Sequence, residues 1–323
     1  MSEDFIKGTI FKIESKDYYV FTEDKTTLRC SLRGKFKKIY GHKKDKLHTL
    51  DIAAVGDNVD FEPNNDNTGV ITKIYERKNY LSRKAPKIKG ASFRGERLEQ
   101  IIASNIDDLY IVSSAVSPNF NNRVIDRLIV TALSLKITPH IIINKLDLCD
   151  YEEFEYWKEL YNEVNCKVYL TEAVNSVGVE AIKENLKGKV SAFWGQSGVG
   201  KSSILNALYP ELEHRVGEIS EQTNKGTHTT VTSVLSEVEE NTFVIDTPGI
   251  REIEPYGIKK IDLCHYFEEF TEYINDCKFN TCTHFHEPGC AVINAVEDEE
   301  ISIERYESYL NMLDSIEDGM IFK

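Results

Sequence analysis

One short segment restricts the fold of this chain more than any other. The residues Gly195-Gln196-Ser197-Gly198-Val199-Gly200-Lys201-Ser202 match the phosphate-binding pattern GxxxxGK[ST], between an apolar run and the helix-like Ser202-Ser203-Ile204-Leu205. The pattern requires a strand, a tight loop and a helix, because glycines let backbone N–H groups converge on phosphate oxygens. Lys201 is expected to bridge the β and γ phosphates, and the Ser202 hydroxyl to ligate Mg²⁺. A plain glycine-rich turn is the alternative. The residues predicted to contact the nucleotide here are Gly195, Gln196, Ser197, Gly198, Val199, Gly200, Lys201, Ser202 and Ser203.

A second motif, Asp246-Thr247-Pro248-Gly249, follows the apolar run 242–245. A carboxylate at the end of such a strand can hold Mg²⁺ through water, and the Gly249 N–H can reach a γ-phosphate. Loss of that phosphate would release the segment that follows. In isolation the four residues could form a plain turn. Their position downstream of a phosphate-binding loop favours Asp246 and Gly249 as nucleotide contacts.

A third motif, Asn144-Lys145-Leu146-Asp147, follows the apolar run 139–143. The Asp147 carboxylate would accept hydrogen bonds from N1–H and N2–H₂ of guanine and would repel the acceptor N1 of adenine, while the Lys145 stem can cover the base. We predict nucleotide contacts from Asn144, Lys145, Leu146 and Asp147. Thr171-Glu172-Ala173, after the next strand, is a further candidate for contact with the base.

The order of the three motifs is unusual. NKxD at 144 precedes the phosphate loop at 195 and DTPG at 246, whereas ordinary GTPases place the phosphate loop first. A circular permutation produces this order without altering the three-dimensional site. It also joins the segment after DTPG directly to the domain that follows, so that nucleotide-dependent motion there could reach that domain.

The N-terminal part differs from the remainder in both pattern and charge. Short alternating runs lie at 9–13, 18–21, 27–32, 58–61 and 69–74. They predict a small antiparallel barrel of about five strands. Residues 1–100 contain 21 Lys and Arg against 15 Asp and Glu, whereas the rest contains 18 against 38, within a net charge of −14. Such asymmetry is typical of a polyanion-binding module joined to acidic domains.

From residue 107 onward, strand-like and helix-like segments alternate. Strands are predicted at 109–112, 139–143, 167–170 and 190–194, with helices at 122–135, 152–163 and 178–186. This alternation predicts a parallel sheet with helices on both faces. The predicted fold class is multidomain, with 1–76 an all-β barrel, 77–105 a basic linker, 106–254 a circularly permuted α/β P-loop GTPase domain and 255–323 an α-helical domain that contains a cysteine and histidine cluster.

A cluster of cysteine and histidine residues lies in the C-terminal part. Cys277, Cys282, His284 and Cys290 have the types and spacing of a closed tetrahedral zinc site. Three thiolates and one imidazole leave no open position, so we expect a structural ion that folds a small domain. Reduced cysteines without a metal are the alternative reading, and His286, Cys264 or His265 could replace a ligand.

A group of cations near the third strand is a candidate RNA-binding surface. Arg29, Arg33, Lys35, Lys37 and Lys38 lie there, with Phe36 and Tyr40 interleaved. Cations that follow the phosphate backbone, together with rings for base stacking, are what an OB-fold offers to nucleic acid. A merely solvated charged face is the alternative.

These motifs together resemble the RsgA (YjeQ/YloQ) family of circularly permuted GTPases that depend on the small ribosomal subunit. The resemblance rests on NKLD, GQSGVGKSS, GTHTT, DTPGIRE and CKFNTCTHFHEPGCAV, and on CSLRGKFKK, AVGDNVDFEP and YERKNYLSRK before them. It spans nearly the whole chain. It implies an OB-fold barrel, His284 as the histidine ligand, GTP hydrolysis stimulated by the small subunit, and a role late in the maturation of that subunit.

Hydrolysis raises the question of which residues act on the attacking water. Thr229 or Thr230 is the candidate that closes over Mg²⁺ and the γ-phosphate, and Lys201 stabilises the transferred charge. Ile250 occupies the position where a Ras-type enzyme has a water-orienting Gln, which predicts a low intrinsic rate. The family resemblance implies that His228 orients the water when the ribosome orders the loop. A solvent-exposed His228 without a role is the alternative.

Composition excludes several other classes. No run approaches the roughly 18–20 apolar residues that span a bilayer, and the N-terminus lacks a signal-peptide core, so we expect a cytoplasmic monomer without membrane contact. The expected ligands are GTP or GDP, Mg²⁺ and one structural Zn²⁺, and the expected partner is the small ribosomal subunit with its rRNA. Two rivals stay open: an RNA-binding assembly factor for which GTP is only a structural ligand, and a P-loop kinase or ATPase, against which Asp147 argues.

Overall fold

A computed structural model describes residues 5–34, 36, 52–84, 99–211, 233–246 and 258–316, without the side chains of 84, 99 and 246. The strands are β1 (Ile6–Glu14), β2 (Asp17–Thr22), β3 (Thr27–Leu32), β4 (Asn58–Pro63), β5 (Thr68–Ile74), β6 (Tyr80–Lys84), β7 (Glu99–Ser104), β8 (Asp108–Ser114), β9 (Thr138–Asn144), β10 (Lys167–Leu170), β11 (Val190–Gly195), β12 (Val234–Glu239) and β13 (Thr242–Asp246). The α-helices are α1 (Asn122–Ser134), α2 (Glu152–Glu163), α3 (Glu180–Leu186), α4 (Lys201–Leu208), α5 (Ala291–Glu297) and α6 (Ile303–Ser315). Short 3₁₀ turns lie at Leu146–Leu148, Ala173–Asn175, Lys260–Tyr266, Glu268–Phe270 and Ile274–Asp276.

The chain divides into two compact units. The first contains Met1–Asp108, Lys183–Trp194 and Leu208–Ile253, and the second contains Leu109–Ile182, Gly195–Ala207 and Glu254–Lys323. Within the described helices, none is both long enough and apolar enough to cross a membrane.

The first five strands form a closed barrel in the order β1-β2-β3-β5-β4. β3 and β5 run parallel and the other neighbours antiparallel. Alternate residues point inward, and the core includes Ile10, Val20, Val59, Phe61 and Ile71. The prediction of a closed barrel of about five strands is confirmed, but the predicted antiparallel arrangement is wrong for β3 and β5, which are parallel neighbours because β5 lies between β3 and β4 in the barrel.

The barrel is joined to a two-stranded sheet made of β6 and β7. Asp57 is completely buried, and Arg77 donates to both of its carboxylate oxygens at 2.7 Å. Ser104 of β7 donates to the same carboxylate at 2.6 Å. At Gly56 φ is +91°, and a Cβ would lie 2.2 Å from the Ser104 carbonyl oxygen. Asp57, within the segment AVGDNVDFEP, therefore lies where the barrel meets the next sheet.

The structure differs here from the basic linker predicted over 77–105. Both ends of that segment are strands, and β6 pairs antiparallel with β7. Leu81, Ile101 and Ala103 are buried on this pair. The many Lys and Arg residues of the segment hid two short apolar alternations, because composition averages over residues that face opposite sides of a strand.

The remaining strands are ordered β10-β9-β8-β11-β13-β12 in one sheet. β9 and β10 are parallel, as are β11 and β13, which agrees with the predicted α/β alternation. β12 was not predicted; it forms an antiparallel hairpin with β13. The amphipathic helix α1 begins after Asn121, whose side chain accepts a hydrogen bond from the Val124 N–H.

In the second unit, the 3₁₀ turns at 260–276 and helices α5 and α6 share a core with α1. That core contains Phe267, Phe270, Val292 and Tyr309, and Val130 of α1 joins it. Arg305 of α6 is only 1% exposed.

A network of charged groups surrounds Arg305 within this core. The guanidinium pairs with Asp126 of α1 and forms two hydrogen bonds with Glu269, at 2.7 and 3.2 Å. Tyr161 of α2 donates to the same Asp126 oxygen at 2.8 Å. A buried, shared charge network therefore fixes the C-terminal helices to α1 and α2.

Candidate functional site

The segment between β11 and α4 has the strand–loop–helix form that the sequence predicted. β11 ends at Gly195 and α4 begins at Lys201. Gly198 and Gly200 have φ values of +87° and +96°, which other residues rarely adopt. The buried Val199 anchors the loop, whereas Gln196, Ser197, Ser202 and Ser203 are exposed. The polar side chains and the first N–H groups of α4 can thus meet a phosphate from solvent.

Asn144 begins the NKLD motif. Its side chain connects the phosphate loop to Thr171 and Ala173, which belong to the second candidate segment for base contact. Its side-chain Nδ2 donates to the Val199 carbonyl at 3.1 Å. Its Oδ1 accepts from the Thr171 hydroxyl at 3.1 Å and from the Ala173 N–H at 3.0 Å. A Cβ on Gly200 would lie 2.2 Å from Asn144 Nδ2, so the approach requires glycine.

The role of Asn144 differs from that of a simple nucleotide ligand. Its side chain is 2% exposed and its amide is committed to three protein partners. Asn144 therefore sets the distance between the phosphate loop and the loop at 171–173. The sequence placed both loops near the site, but this connection depends on a contact that only the tertiary structure reveals.

The rest of NKLD positions a free carboxylate. Lys145 adopts a left-handed conformation with φ +67°, and its Nζ donates to the Ser117 carbonyl at 2.5 Å. Leu146 is buried, and its N–H donates to the Thr171 carbonyl at 3.3 Å. Asp147 on the following 3₁₀ turn is exposed. Its carboxylate is thus held on a fixed turn and stays accessible to the edge of a base.

The strand before DTPG ends at the same sheet edge as β11. In the parallel pair, Phe193 lies opposite Asp246. The phosphate loop and DTPG therefore both follow the carboxyl ends of parallel strands, where ligands bind in open α/β sheets. Thr247–Gly249 and the predicted residues His228, Thr229 and Thr230 lie outside the described residues.

Cys277, Cys282, His284 and Cys290 come together in the C-terminal part. Their ligand atoms all lie within 4.8 Å of one another. His284 Nδ1 is 3.5 Å from Cys277 Sγ and 3.3 Å from Cys290 Sγ, and the latter two sulfurs are 3.9 Å apart. A tetrahedral zinc ion with Zn–S of about 2.3 Å and Zn–N of about 2.0 Å gives edges of about 3.8 and 3.5 Å. The donor set and spacing fit Zn²⁺.

The alternatives named for this cluster do not belong to it. His286 and His265 are exposed, and the Cys264 Sγ donates to the Ile261 carbonyl at 3.5 Å. Burial lowers the pKa of His284, which favours the neutral imidazole that a metal requires. Burial raises the pKa of Cys282 to about 12, so metal binding would release a proton there.

The backbone around His284 is held by neighbouring side chains. Tyr306 of α6 donates to the His284 carbonyl at 2.8 Å, and Tyr309 donates to the Thr283 carbonyl at 2.7 Å. Glu287 accepts hydrogen bonds from the N–H and the hydroxyl of Thr283. Burial raises the pKa of Glu287, but these bonds outweigh it and lower the pKa to about 2. The ligand loop is thereby tied to α6.

The cations predicted to bind RNA are only partly described. Arg29 pairs with Asp17 at 2.8 Å and Arg33 pairs with Glu62 at 3.0 Å, and both guanidinium groups are exposed. Lys35, Lys37 and Lys38 lie outside the described residues. Exposed pairs of this kind contribute little to stability, so the two arginines can exchange carboxylate for phosphate at small cost.

A phosphate loop, an NKxD motif with an exposed Asp147, and the order of these motifs along the chain define a circularly permuted P-loop GTPase. Residues 74–255 match the RsgA GTPase family model and residues 7–71 match the RsgA N-terminal domain. The chain therefore belongs to the RsgA family and is a GTP-hydrolysing enzyme.

Two relatives resemble it over nearly the full length. It is 39% identical to the small ribosomal subunit biogenesis GTPase RsgA of Chlorobaculum tepidum, covering 96% of this chain and 98% of the relative. It is 37% identical to the protein of the same name from Phocaeicola vulgatus, covering 97% and 98%.

Two solved structures have the same fold. YjeQ from Thermotoga maritima has a TM-score of 0.75 and 31% identity, covering 98% of this chain and 99% of that one. YloQ, described as a circularly permuted GTPase, has a TM-score of 0.71 and 30% identity, covering 100% and 99%.

Proposed function

We propose that this protein binds the small ribosomal subunit late in its maturation and hydrolyses GTP to GDP and phosphate when that subunit stimulates it. The observation that carries the proposal is the Asn144 side chain, which links the phosphate loop to two loops suited to a guanine base. The relatives named as small-subunit biogenesis GTPases support the choice of partner. We further propose a cytoplasmic monomer.

In this mechanism water attacks the γ-phosphate in line with the leaving oxygen. Lys201 and the first N–H groups of α4 stabilise the negative charge on the transferred group. Ser202 and Asp246 are the residues that would hold Mg²⁺, which would supply positive charge to the phosphates. Thr229 or Thr230 would close over the γ-phosphate, and His228 would orient the water.

The proposed role of each part of the chain follows from the charge and the chemistry of its residues. The barrel, with Arg29, Arg33, Lys35, Lys37 and Lys38, would contact rRNA. Cys277, Cys282, His284 and Cys290 would hold one structural Zn²⁺ that leaves no open coordination position. The segments 1–76, 106–254 and 255–323 would act as RNA-binding, GTPase and zinc-binding parts.

GTP turnover should be measured with the protein alone, with purified small subunits and with purified large subunits. We expect stimulation by small subunits alone. Stimulation by neither subunit would overturn the proposal, and equal stimulation by both would contradict the choice of partner.

Guanine selection is tested at Asp147. Asp147→Asn should weaken GTP binding and favour xanthosine triphosphate, because an amide can donate to the carbonyl that xanthine carries in place of the guanine amino group. Asp150→Asn, an exposed carboxylate in the same segment, is the matched control and should leave the preference unchanged. ATP bound in preference to GTP by the unaltered protein would contradict the base assignment.

Ile250, in the position of a water-orienting Gln, favours a second candidate in which the protein is an RNA-binding assembly factor and GTP is a structural ligand. Single-turnover hydrolysis with and without small subunits separates the two functions. His228→Ala should abolish the stimulated component and retain GTP binding. An unchanged stimulated rate in that variant would remove His228 from the mechanism.

A further inference from the structure

The barrel meets the β12–β13 hairpin through a small, well-defined contact within the first unit. The ring of Phe21 on β2 stacks on Phe243 of β13, with centroids 5.4 Å apart and an interplanar angle of 7°. Lys25, in the turn after β2, pairs with Glu237 of β12 at 3.1 Å. Phe11 of β1 packs behind Phe21 at 6.0 Å. The aromatic stack and the ion pair are thus two of the contacts between the barrel and the hairpin, which also meet where β1 approaches β12.

Both contacts involve a single cross-strand residue pair of the hairpin. Glu237 and Phe243 lie directly opposite each other in the β12–β13 register. Any displacement of this cross-strand pair therefore moves both attachment points together.

An open cleft lies beside this contact. It has a volume of about 360 Å³ and is lined by residues of both elements, among them Thr9, Asn58, Tyr75 and Asn241. The barrel and hairpin are therefore not fused by a continuous apolar core at this point. The stacked rings of Phe21 and Phe243 form part of the lining of this cleft.

The hairpin also connects the two segments proposed to sense the γ-phosphate. Val234 and Asp246 pair at its open end. Thr229 and Thr230 precede that end in sequence, and Asp246 begins DTPG. Phe243 is three residues before Asp246, about 10 Å along an extended strand. β13 is further held by β11, which leads into the phosphate loop.

We propose that the β12–β13 hairpin couples the nucleotide state to the barrel through the Phe21–Phe243 stack, so that the GTP and GDP forms present the RNA-binding barrel differently. This inference rests on the proposed function, because it requires the barrel to contact RNA. Coupling is reciprocal: if the nucleotide changes the affinity for small subunits, small subunits change the preference between nucleotides by the same factor.

The test compares affinities of the full-length protein for purified small subunits in the presence of GDP and of a non-hydrolysable GTP analogue. The ratio of the two dissociation constants measures coupling, typically about 5- to 150-fold where it exists. Phe21→Ala, Phe243→Ala and the double variant should each reduce the ratio to near 1. If the stack carries the coupling, the double variant should match the singles instead of summing their effects.

Three further variants keep the test clear of folding defects. Lys25 is 66% exposed, so Lys25→Glu does not threaten the core, and it places a carboxylate against Glu237. It should lower the ratio, whereas Lys16→Glu, in the exposed turn between β1 and β2, should change both affinities equally. Phe5→Ala is the exposed aromatic control.

The outcomes separate the two proposals. Small subunits that do not bind the unaltered protein would overturn the proposed function and this inference with it. Binding with a nucleotide-dependent ratio that survives Phe21→Ala and Lys25→Glu would overturn this inference alone. A ratio near 1 in the unaltered protein would also overturn it.

Discussion

Replacement of Arg305 by Met should destabilise the second unit severely. The substitution keeps much of the side-chain volume and removes the charge that faces Asp126 and Glu269. It also removes the guanidinium that lies 4.8 Å from the centre of the Phe267 ring. Asp126 is 0% exposed and would be left as an uncompensated buried carboxylate. Breaking a buried pair from one side costs about 3–5 kcal/mol.

The pH dependence of the lost free energy of unfolding identifies the cause of the loss. Burial raises the pKa of Asp126, and Arg305 opposes the rise; loss of Arg305 therefore raises it further. Asp126 in the folded variant then binds a proton more tightly than it does in the unfolded chain. The stability of the variant therefore falls as pH rises above the pKa that Asp126 has in the unfolded chain. The deficit relative to the unaltered protein should be smaller at pH 5 than at pH 8.

Urea unfolding measures this effect. Trp157 of α2 stacks on Tyr161, so its fluorescence in a Trp194→Phe background reports on the network. Arg123→Met is the matched control, because Arg123 joins α1 to Glu307 of α6 through an exposed pair at 3.2 Å. That pair should contribute less than about 1 kcal/mol. Equal losses in both variants, or a deficit independent of pH, would refute the reasoning.

Three further predictions concern the phosphate loop, the metal centre and the barrel. Gly200→Ala should abolish GTP binding, measured by titration, because its Cβ would lie 2.2 Å from Asn144; Gly188→Ala, also at positive φ but with open space around it, should retain binding. Removing the metal with a chelator should lower helical circular dichroism and increase hydrogen exchange in α5 and α6, and unchanged exchange would argue against a structural ion. Asp57→Asn should cost about 3–5 kcal/mol in thermal or urea unfolding, because Arg77 loses its buried partner; a loss below about 1 kcal/mol would contradict that role.

Much of the architecture was predictable because its signals are local. Strand alternation predicted all five barrel strands, and the α/β alternation predicted β8 to β11 and the helices between them. Three strands were missed, for two different reasons. The charge of the segment around β6 and β7 masked its short apolar alternation, and β12 is an edge strand with mostly half-exposed residues. Weak burial therefore explains only β12, whereas β6 and β7 contain buried residues among charged ones.

The sequence by itself determined the motifs of this protein: the phosphate-loop pattern, NKxD with Asp147, and the cysteines and histidine of the C-terminal cluster, because each depends on residue identity at short spacing. The order of these motifs along the chain also shows the permutation. Only the tertiary structure decided which polar side chains bond to distant parts of the chain, both at the phosphate loop and in the core of the second unit. Asn144 reaches Val199 across 55 positions, and Arg305 reaches Asp126 across 179. Such partners follow from how strands and helices pack, and no local pattern of the chain encodes the distance between them.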